Sequence, residues 1–101
     1  MMTNNMRPIH PGEILREEYL NALGMSANAL SIALRVPSSR IDQIIKEKRS
    51  LSPDTALRLA KYFGGDAQSW LNLQTTYDLK RTESEFGSLI DAEVLPMASG
   101  Q

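Results

Sequence analysis

The chain has 101 residues and a net charge of −1, so we expect a single domain that is not a polycation. It contains no cysteine and one histidine, His10, which excludes disulfides and thiolate metal sites and disfavours a histidine-based metal centre. No apolar run is long enough to cross a membrane, and residues 1–10 lack the apolar region of a signal peptide. We therefore expect a cytoplasmic protein with no cofactor and no membrane contact.

The first two predicted helices are recognised by their caps and apolar spacing. The first follows His10, which we interpret as a helix-entry residue, begins at Pro11 and stops at Gly24. Its apolar stripe consists of Ile14, Leu15, Tyr19, Ala22 and Leu23. The second is capped by Ser26 and ends near Arg35. Its apolar face consists of Leu30, Ala33 and Leu34.

The third predicted helix, residues 37–46, has two chemically different sides. Pro37 presets its first turn, and either Ser38 or Val36 is expected to cap it. A buried stripe is predicted from the i, i+3, i+4 spacing of Ile41, Ile44 and Ile45. The opposite side carries short polar and long flexible residues: Ser38, Ser39, Arg40, Gln43 and Lys46.

The fourth predicted helix opens with Ser52 as its cap and a proline at the first helical position, and the glycines at 64 and 65 end it. Its buried side is predicted to consist of Ala56, Leu57, Ala60 and Phe63. The fifth is capped by Asp66 and runs to about Ser84. Its helical spacing is carried by Trp70, Leu73, Gln74 and Tyr77, of which the two aromatic residues are interpreted as core anchors. Residues 88–97, SLIDAEVLPM, are interpreted as a short strand or an irregular arm.

Together these segments predict an all-α, five-helix domain in which the second and third helices form a helix-turn-helix. A helix in the DNA major groove needs an apolar back that holds it on the domain and a polar front that reaches base edges. We expect Gln43 to bond adenine and Arg40 to bond guanine, with Ser38, Ser39 and Lys46 on the same front. We expect the DNA backbone phosphates to be contacted by the start of the second helix at Ser26 and by Lys48 and Arg49 after the third helix. The alternative is a solvated amphipathic helix.

A helix-turn-helix monomer reads few base pairs, so we expect a homodimer on double-stranded operator DNA. The fifth helix and the tail are the predicted dimer surface, because the tail contains apolar residues that are too late in the chain to fill the core: Leu89, Ile90, Val94 and Leu95. A frayed terminus is the alternative. The predicted organisation is an arm at 1–10, the DNA-binding domain at 11–84 and a tail at 85–101.

Residues 7–81 resemble the HigA antitoxins, also called VapI-type, which are part of the Xre group of helix-turn-helix repressors. The resemblance rests on HPGEILREEYL, LRVPSSRIDQIIKEKRSLSPDTALRLAKYFG and QSWLNLQTTYDLKR. It implies a five-helix domain that binds its own operator as a dimer. It also implies neutralisation of a HigB-type toxin, which in that family is a ribosome-dependent mRNA endonuclease.

The chain departs from the family pattern in three places, two single positions and one loop. Glycine is usual where Arg35 stands, so a positive φ there would cost about 1 kcal/mol unless the turn is built differently. Alanine is usual at Ser31, where serine is small enough to keep close packing. The usual Asn-Gly-Lys-Arg loop is replaced by Lys-Glu-Lys-Arg at 46–49, and loss of that glycine is expected to lengthen the third helix slightly.

Other functions are weighed against this one. An Xre-type repressor without a toxin partner shares every DNA prediction. A protein-interaction module that no longer binds DNA fits the presence of Arg35 and the net negative charge of the chain. An enzyme is disfavoured by the absence of cysteine and of a glycine-rich phosphate loop. The acidic residues of the first helix are interpreted as a solvated face or as a contact for a basic toxin: Glu13, Glu17 and Glu18.

Overall fold

The computed structural model describes residues 7–98, which contain five helices and no strand. Helix α1 covers residues 11–23 in three continuous segments, α-helical Pro11–Ile14, π-helical Leu15–Leu20 and α-helical Asn21–Leu23. The others are α2 Ala27–Leu34, α3 Ser38–Ile45, α4 Pro53–Phe63 and α5 Ala67–Glu93. The predicted all-α, five-helix architecture is confirmed. No helix within residues 7–98 combines the length and apolar character that crossing a membrane requires.

One apolar core joins all five helices. It consists of Leu15, Leu20, Leu30, Leu34, Ile41, Ile44, Leu51, Ala56, Leu59 and Trp70. Helix α3 supplies Ile41 and Ile44, both with no exposed surface, and packs against α1 and α2. Burying such a side chain stabilises the fold by about 1.5–3 kcal/mol. The predicted isoleucine stripe is therefore confirmed, with Ile45 half-buried at its edge.

The π-helical segment of α1 changes which residues of that helix are buried. At its end the N–H of Asn21 donates to the carbonyl of Arg16, five residues earlier, which widens the turn. Leu20 is therefore buried below Leu15. The sequence prediction, which assumed a regular 3.6-residue period, is wrong in placing Ala22 and Leu23 on the buried face, because both are exposed.

The buried faces of α2 and α4 also differ from prediction at one position each. Ala33 is exposed, whereas Ser31 is buried and its hydroxyl donates to the carbonyl of Asn28 at 2.7 Å. This bond satisfies the hydroxyl, so serine fits a close-packed position. In α4, Leu57 is 64% exposed and Leu59 is fully buried. The apolar leucines of α4 thus point to different sides of the helix.

His10 caps α1, as the sequence predicts. Its Nδ1 accepts a hydrogen bond from the N–H of Gly12 at 2.8 Å, and its ring lies edge-on to Tyr77 with the centroids 4.8 Å apart. Burial lowers the pKa of His10 below its ordinary value of 6.5. A protonated Nδ1 cannot accept this bond, so the cap stabilises the fold fully above pH 6.5 and is lost as the pH falls through the lower folded-state pKa.

Helix α5 extends further than the sequence predicts. It continues past Ser84 to Glu93, and the chain after it, residues 94–98, is irregular. The predicted strand at 88–97 is therefore wrong, and the alternative of an irregular arm holds only for residues 94–97, because residues 88–93 belong to α5. The predicted domain boundary at 84 falls inside α5 and stays a prediction. Residues 1–6 of the predicted arm and residues 99–101 of the tail lie outside the described part of the chain.

Gly12 allows α1 to touch the backbone of α3. A Cβ atom at Gly12 would lie 1.8 Å from the carbonyl oxygen of Ile44. Glycine is therefore required in the HPGEIL segment because two helix backbones meet there.

We predict that Gly12→Ala lowers the free energy of unfolding by about 1–3 kcal/mol, because α1 must move away from α3. Urea unfolding followed by circular dichroism measures this. Gly87→Ala is the matched control, since its added Cβ meets nothing within 4 Å apart from its chain neighbours and the surrounding helix backbone. It should leave stability unchanged or raise it by about 0.5–1 kcal/mol. Equal urea midpoints for Gly12→Ala and the native chain would contradict the close approach.

Candidate nucleic-acid interface

The outer side of α3 is exposed along its length. Ser39 and Gln43 lie one helical turn apart on the side opposite Ile41 and Ile44, and both are exposed. The polar front predicted from the sequence is therefore exposed to solvent at these two positions.

The first turn of α3 lacks a side-chain cap. The N-cap is Pro37, which has no side-chain acceptor, so the prediction that Ser38 or Val36 caps this helix is wrong. Each of α2, α4 and α5 has such a cap, provided by Ser26, Ser52 and Asp66 respectively. The N–H groups at the start of α3 can consequently be satisfied by an external acceptor, and a phosphate is one such acceptor.

The turn between α2 and α3 keeps the geometry that glycine usually provides. Arg35 has φ 60° and ψ 45°, in the left-handed region. This conformation costs about 1 kcal/mol for a residue with a Cβ atom. Arg58 Nη1, from α4, donates to the carbonyl of Leu34 at 2.8 Å and so satisfies one carbonyl at the end of α2. The departure at Arg35 therefore leaves the helix-turn-helix intact.

The loop after α3 also keeps its shape without glycine. Glu47 has φ 61°, and α3 ends at Ile45. The expected lengthening of α3 is wrong, because Glu47 adopts the left-handed conformation in which glycine would stop the helix. The guanidinium of Arg16 donates to the carbonyl of Ile45, and the side chain of Gln74 accepts from the N–H of Leu51 at 2.8 Å further along the loop.

The long polar side chains of the α3 front have intramolecular partners. The pairs are Gln43 with Arg49 at 3.3 Å, Lys46 with Asp42 at 3.0 Å and Arg40 with Asp54 at 3.2 Å. The first two pairs are exposed and stabilise a protein by only about 0–1 kcal/mol, so Gln43 and Lys46 can exchange these partners for groups on DNA at little cost. Within residues 7–98, Lys48 makes no ion pair and is exposed.

The eight predicted DNA-binding residues lie at the start of α2, on the front of α3 and in the loop after it. Seven are exposed and Arg40 is half-buried; the exposed ones are Ser26, Ser38, Ser39, Gln43, Lys46, Lys48 and Arg49. Ser26 Oγ accepts from the N–H of Ala29 at 3.0 Å, which confirms its capping role. Contacts of these residues with DNA stay predictions.

Two residues that bond the carboxyl ends of α2 and α3 were not predicted from the sequence. Arg16 and Arg58 each bond a carbonyl more than twenty residues away in the chain. Only one local signal was available, the i, i+4 spacing of Asp54 and Arg58, whose Oδ1 and Nε are 2.6 Å apart.

The acidic face of α1 is partly neutralised. Glu13 forms a bidentate pair with Arg7 at 2.7 and 2.8 Å, which lowers the pKa of its carboxyl, and Glu17 pairs with Arg16 at 2.9 Å. Glu18 is exposed without an ion pair among the described residues. The role of this face in toxin binding stays a prediction. Within residues 7–98, no three histidine, aspartate or glutamate side chains converge to hold a metal ion.

Comparison with known proteins gives close relatives over nearly the whole chain. A helix-turn-helix family profile matches residues 16–70. Virulence-associated protein I of Dichelobacter nodosus is 62% identical over 85% of this chain and 80% of its own length. An antitoxin, HigA-1 of Vibrio cholerae, is 30% identical over 85% of this chain and 81% of its own length.

Solved structures agree with the fold. A HigA-family addiction module antidote protein from Coxiella burnetii has a TM-score of 0.85 at 50% identity, covering 90% of this chain and 99% of that one. The antitoxin HigA of Pseudomonas aeruginosa, solved with the higBA promoter, has a TM-score of 0.88 at 43% identity and covers 91% of this chain and 100% of that one. This relative, which was solved with promoter DNA, therefore has the same fold as the present chain.

Proposed function

Since this chain belongs to the Xre-type helix-turn-helix family that includes the HigA antitoxins, we propose that it is the antitoxin of a two-protein toxin–antitoxin pair. In this proposal it neutralises a HigB-type mRNA endonuclease and binds operator DNA as a dimer to repress its own operon. The single observation that carries the DNA part is the exposed polar front of α3 above the buried Ile41 and Ile44.

The front offers the groups that a duplex requires. Gln43 and Arg40 are long enough to make two hydrogen bonds each to a base edge, adenine and guanine respectively. The uncapped N–H groups at the start of α3, together with Lys48 and Arg49, are assigned to backbone phosphates. Base contacts select the sequence, whereas phosphate contacts supply affinity that depends on salt.

Dimerisation is assigned to the free end of α5. The chain is 56 Å long but only 24 Å wide, and nearly every residue after 81 is exposed, so this end of α5 extends beyond the core. Leu79, Phe86 and Ile90 are 58%, 48% and 46% exposed. Their spacing places them on one side of α5, opposite the side on which Trp70 and Tyr77 face the core. A second copy of the chain is the partner that also supplies the second recognition helix.

The toxin part is supported by membership in the family and by the close match to HigA structures. The acidic α1 face is the assigned contact for a basic toxin. A repressor without a toxin partner is the alternative, and the two proposals differ only in what the neighbouring gene encodes.

For the base-reading role, we predict that Gln43→Ala lowers the discrimination between operator and random DNA by about 1–3 kcal/mol. Lys48→Ala should weaken binding to both duplexes alike and reduce the slope of log K against log salt by about one. Fluorescence anisotropy at several salt concentrations measures both. If Gln43→Ala weakens binding to the two duplexes equally, the base-reading role of Gln43 is wrong. If Lys48→Ala leaves the salt slope unchanged, Lys48 does not contact a phosphate.

For the dimer, we predict that Phe86→Asp gives a monomer in analytical ultracentrifugation and weakens operator binding roughly 100-fold or more through lost bivalency. Ser88→Asp is the matched control, because it adds the same charge on the opposite side of α5 and should leave the dimer intact. A dimer that survives Phe86→Asp would exclude this stripe as the interface.

For the toxin, we predict that co-expression of this chain restores growth to cells that produce the adjacent gene product, and that the two proteins co-purify. A small, strongly basic neighbour is expected. If growth is not restored and the two proteins do not co-purify, the antitoxin role is wrong and the repressor alternative remains.

A further inference from the structure

We infer that Asp54 is a positioning residue that directs Arg40 toward a base edge and away from the DNA phosphates. The inference rests on the DNA binding proposed above and adds to it a determinant of specificity outside the recognition helix. Asp54 stands in the first turn of α4, behind the front of α3.

Asp54 is the centre of a connected set of side chains. One oxygen, Oδ1, accepts from Arg40 Nη1 at 3.2 Å and from Arg58 Nε at 2.6 Å. Arg58 is itself fixed, because its Nη1 donates to the carbonyl of Leu34 at 2.8 Å. The chain of bonds therefore links the end of α2, the start of α4 and the flank of α3. Asp54 is held in place by a residue that does not face the α3 front.

Arg40 is the side chain that this arrangement controls. It has 26% of its side-chain surface exposed, whereas Asp54 has 55%. A guanidinium has five donors in one plane, and recognition of guanine requires that plane to be oriented. The bond to Asp54 uses one donor and leaves others for a ligand.

Charge adds a second effect. Hydrogen bonding and charge from Arg58, with the charge of Arg40, lower the pKa of the Asp54 carboxyl, so it is ionised at neutral pH. A carboxylate beside Arg40 repels a phosphate, whereas it does not repel the acceptor atoms of a guanine edge to the same extent. Asp54 therefore penalises sequence-independent contacts of Arg40 more than base contacts.

The test uses the full chain and a duplex that it selects from a random-sequence library, with a shuffled duplex for comparison. We expect Asp54→Asn to raise affinity for the shuffled duplex and to increase the salt slope by about one, because Arg40 becomes free to contact a phosphate. The ratio of selected to shuffled affinity should fall roughly tenfold. Asp54→Glu keeps the negative charge, so its ratio of selected to shuffled affinity should stay close to that of the native chain.

Two comparisons separate positioning from general effects. Glu18→Gln removes the same charge from α1, where the carboxylate has no ion pair within the described residues. It should change the affinity for either duplex little. In an Arg40→Ala background, Asp54→Asn should have no further effect on the ratio. Thermal melting confirms that each variant is folded.

An unchanged ratio for Asp54→Asn, or the same loss in the Arg40→Ala background, would overturn the inference while leaving the proposed function standing. If Asp54→Asn does not fold, Asp54→Ser takes its place, with the same expected loss and the same overturning outcomes. A native chain that enriches no duplex would refute the DNA binding itself, and the inference would fall with it.

Discussion

Ile41 and Ile44 have no exposed surface, and their burial decides which side of α3 meets the surroundings. Turning α3 about its axis would expose both side chains, at about 1.5–3 kcal/mol each, and would bury Ser39 and Gln43 without partners. The polar front is therefore fixed by the core beneath it. Gly12 strengthens this arrangement, because α1 lies directly against the backbone at the end of α3.

Two arginines outside α3 bond backbone carbonyls at the ends of α2 and α3. Arg58 bonds the carbonyl of Leu34 at the end of α2, and Arg16 bonds that of Ile45 at the end of α3. Both carbonyls would otherwise be among the unsatisfied groups at a helix end. The same two sites are followed by residues in the left-handed region, Arg35 and Glu47. These arginines thus stabilise turns that contain no glycine, which keeps the front oriented despite the departures from the family sequence.

Local features of the fold could be predicted from the sequence. Caps such as Ser52 and Asp66 act on backbone groups within three residues, so their sequence signals are close by. The isoleucine spacing of α3 likewise needs no knowledge of other helices.

Features that depend on distant contacts or irregular geometry could not be predicted. The π-helical turn that buries Leu20 instead of Ala22 breaks the assumed period. Helix α5 continues through Gly87 to Glu93 although the sequence pattern weakens there. In the site, the front residues were identified from periodicity, but the supports from Arg16 and Arg58 arise only when the helices are packed.

Whether the front of α3 enters the major groove can be measured by cross-linking, because the sequence contains no cysteine that would compete. A single cysteine at Ser39 is placed opposite a thiol tether on a base of the selected duplex, and disulfide cross-linking is measured. We expect a cross-link when the tether projects into the major groove, none when it projects into the minor groove, and none from a control cysteine at Ser88. Equal cross-linking from both grooves, or none from Ser39→Cys while binding is retained, would contradict entry of α3 into the major groove.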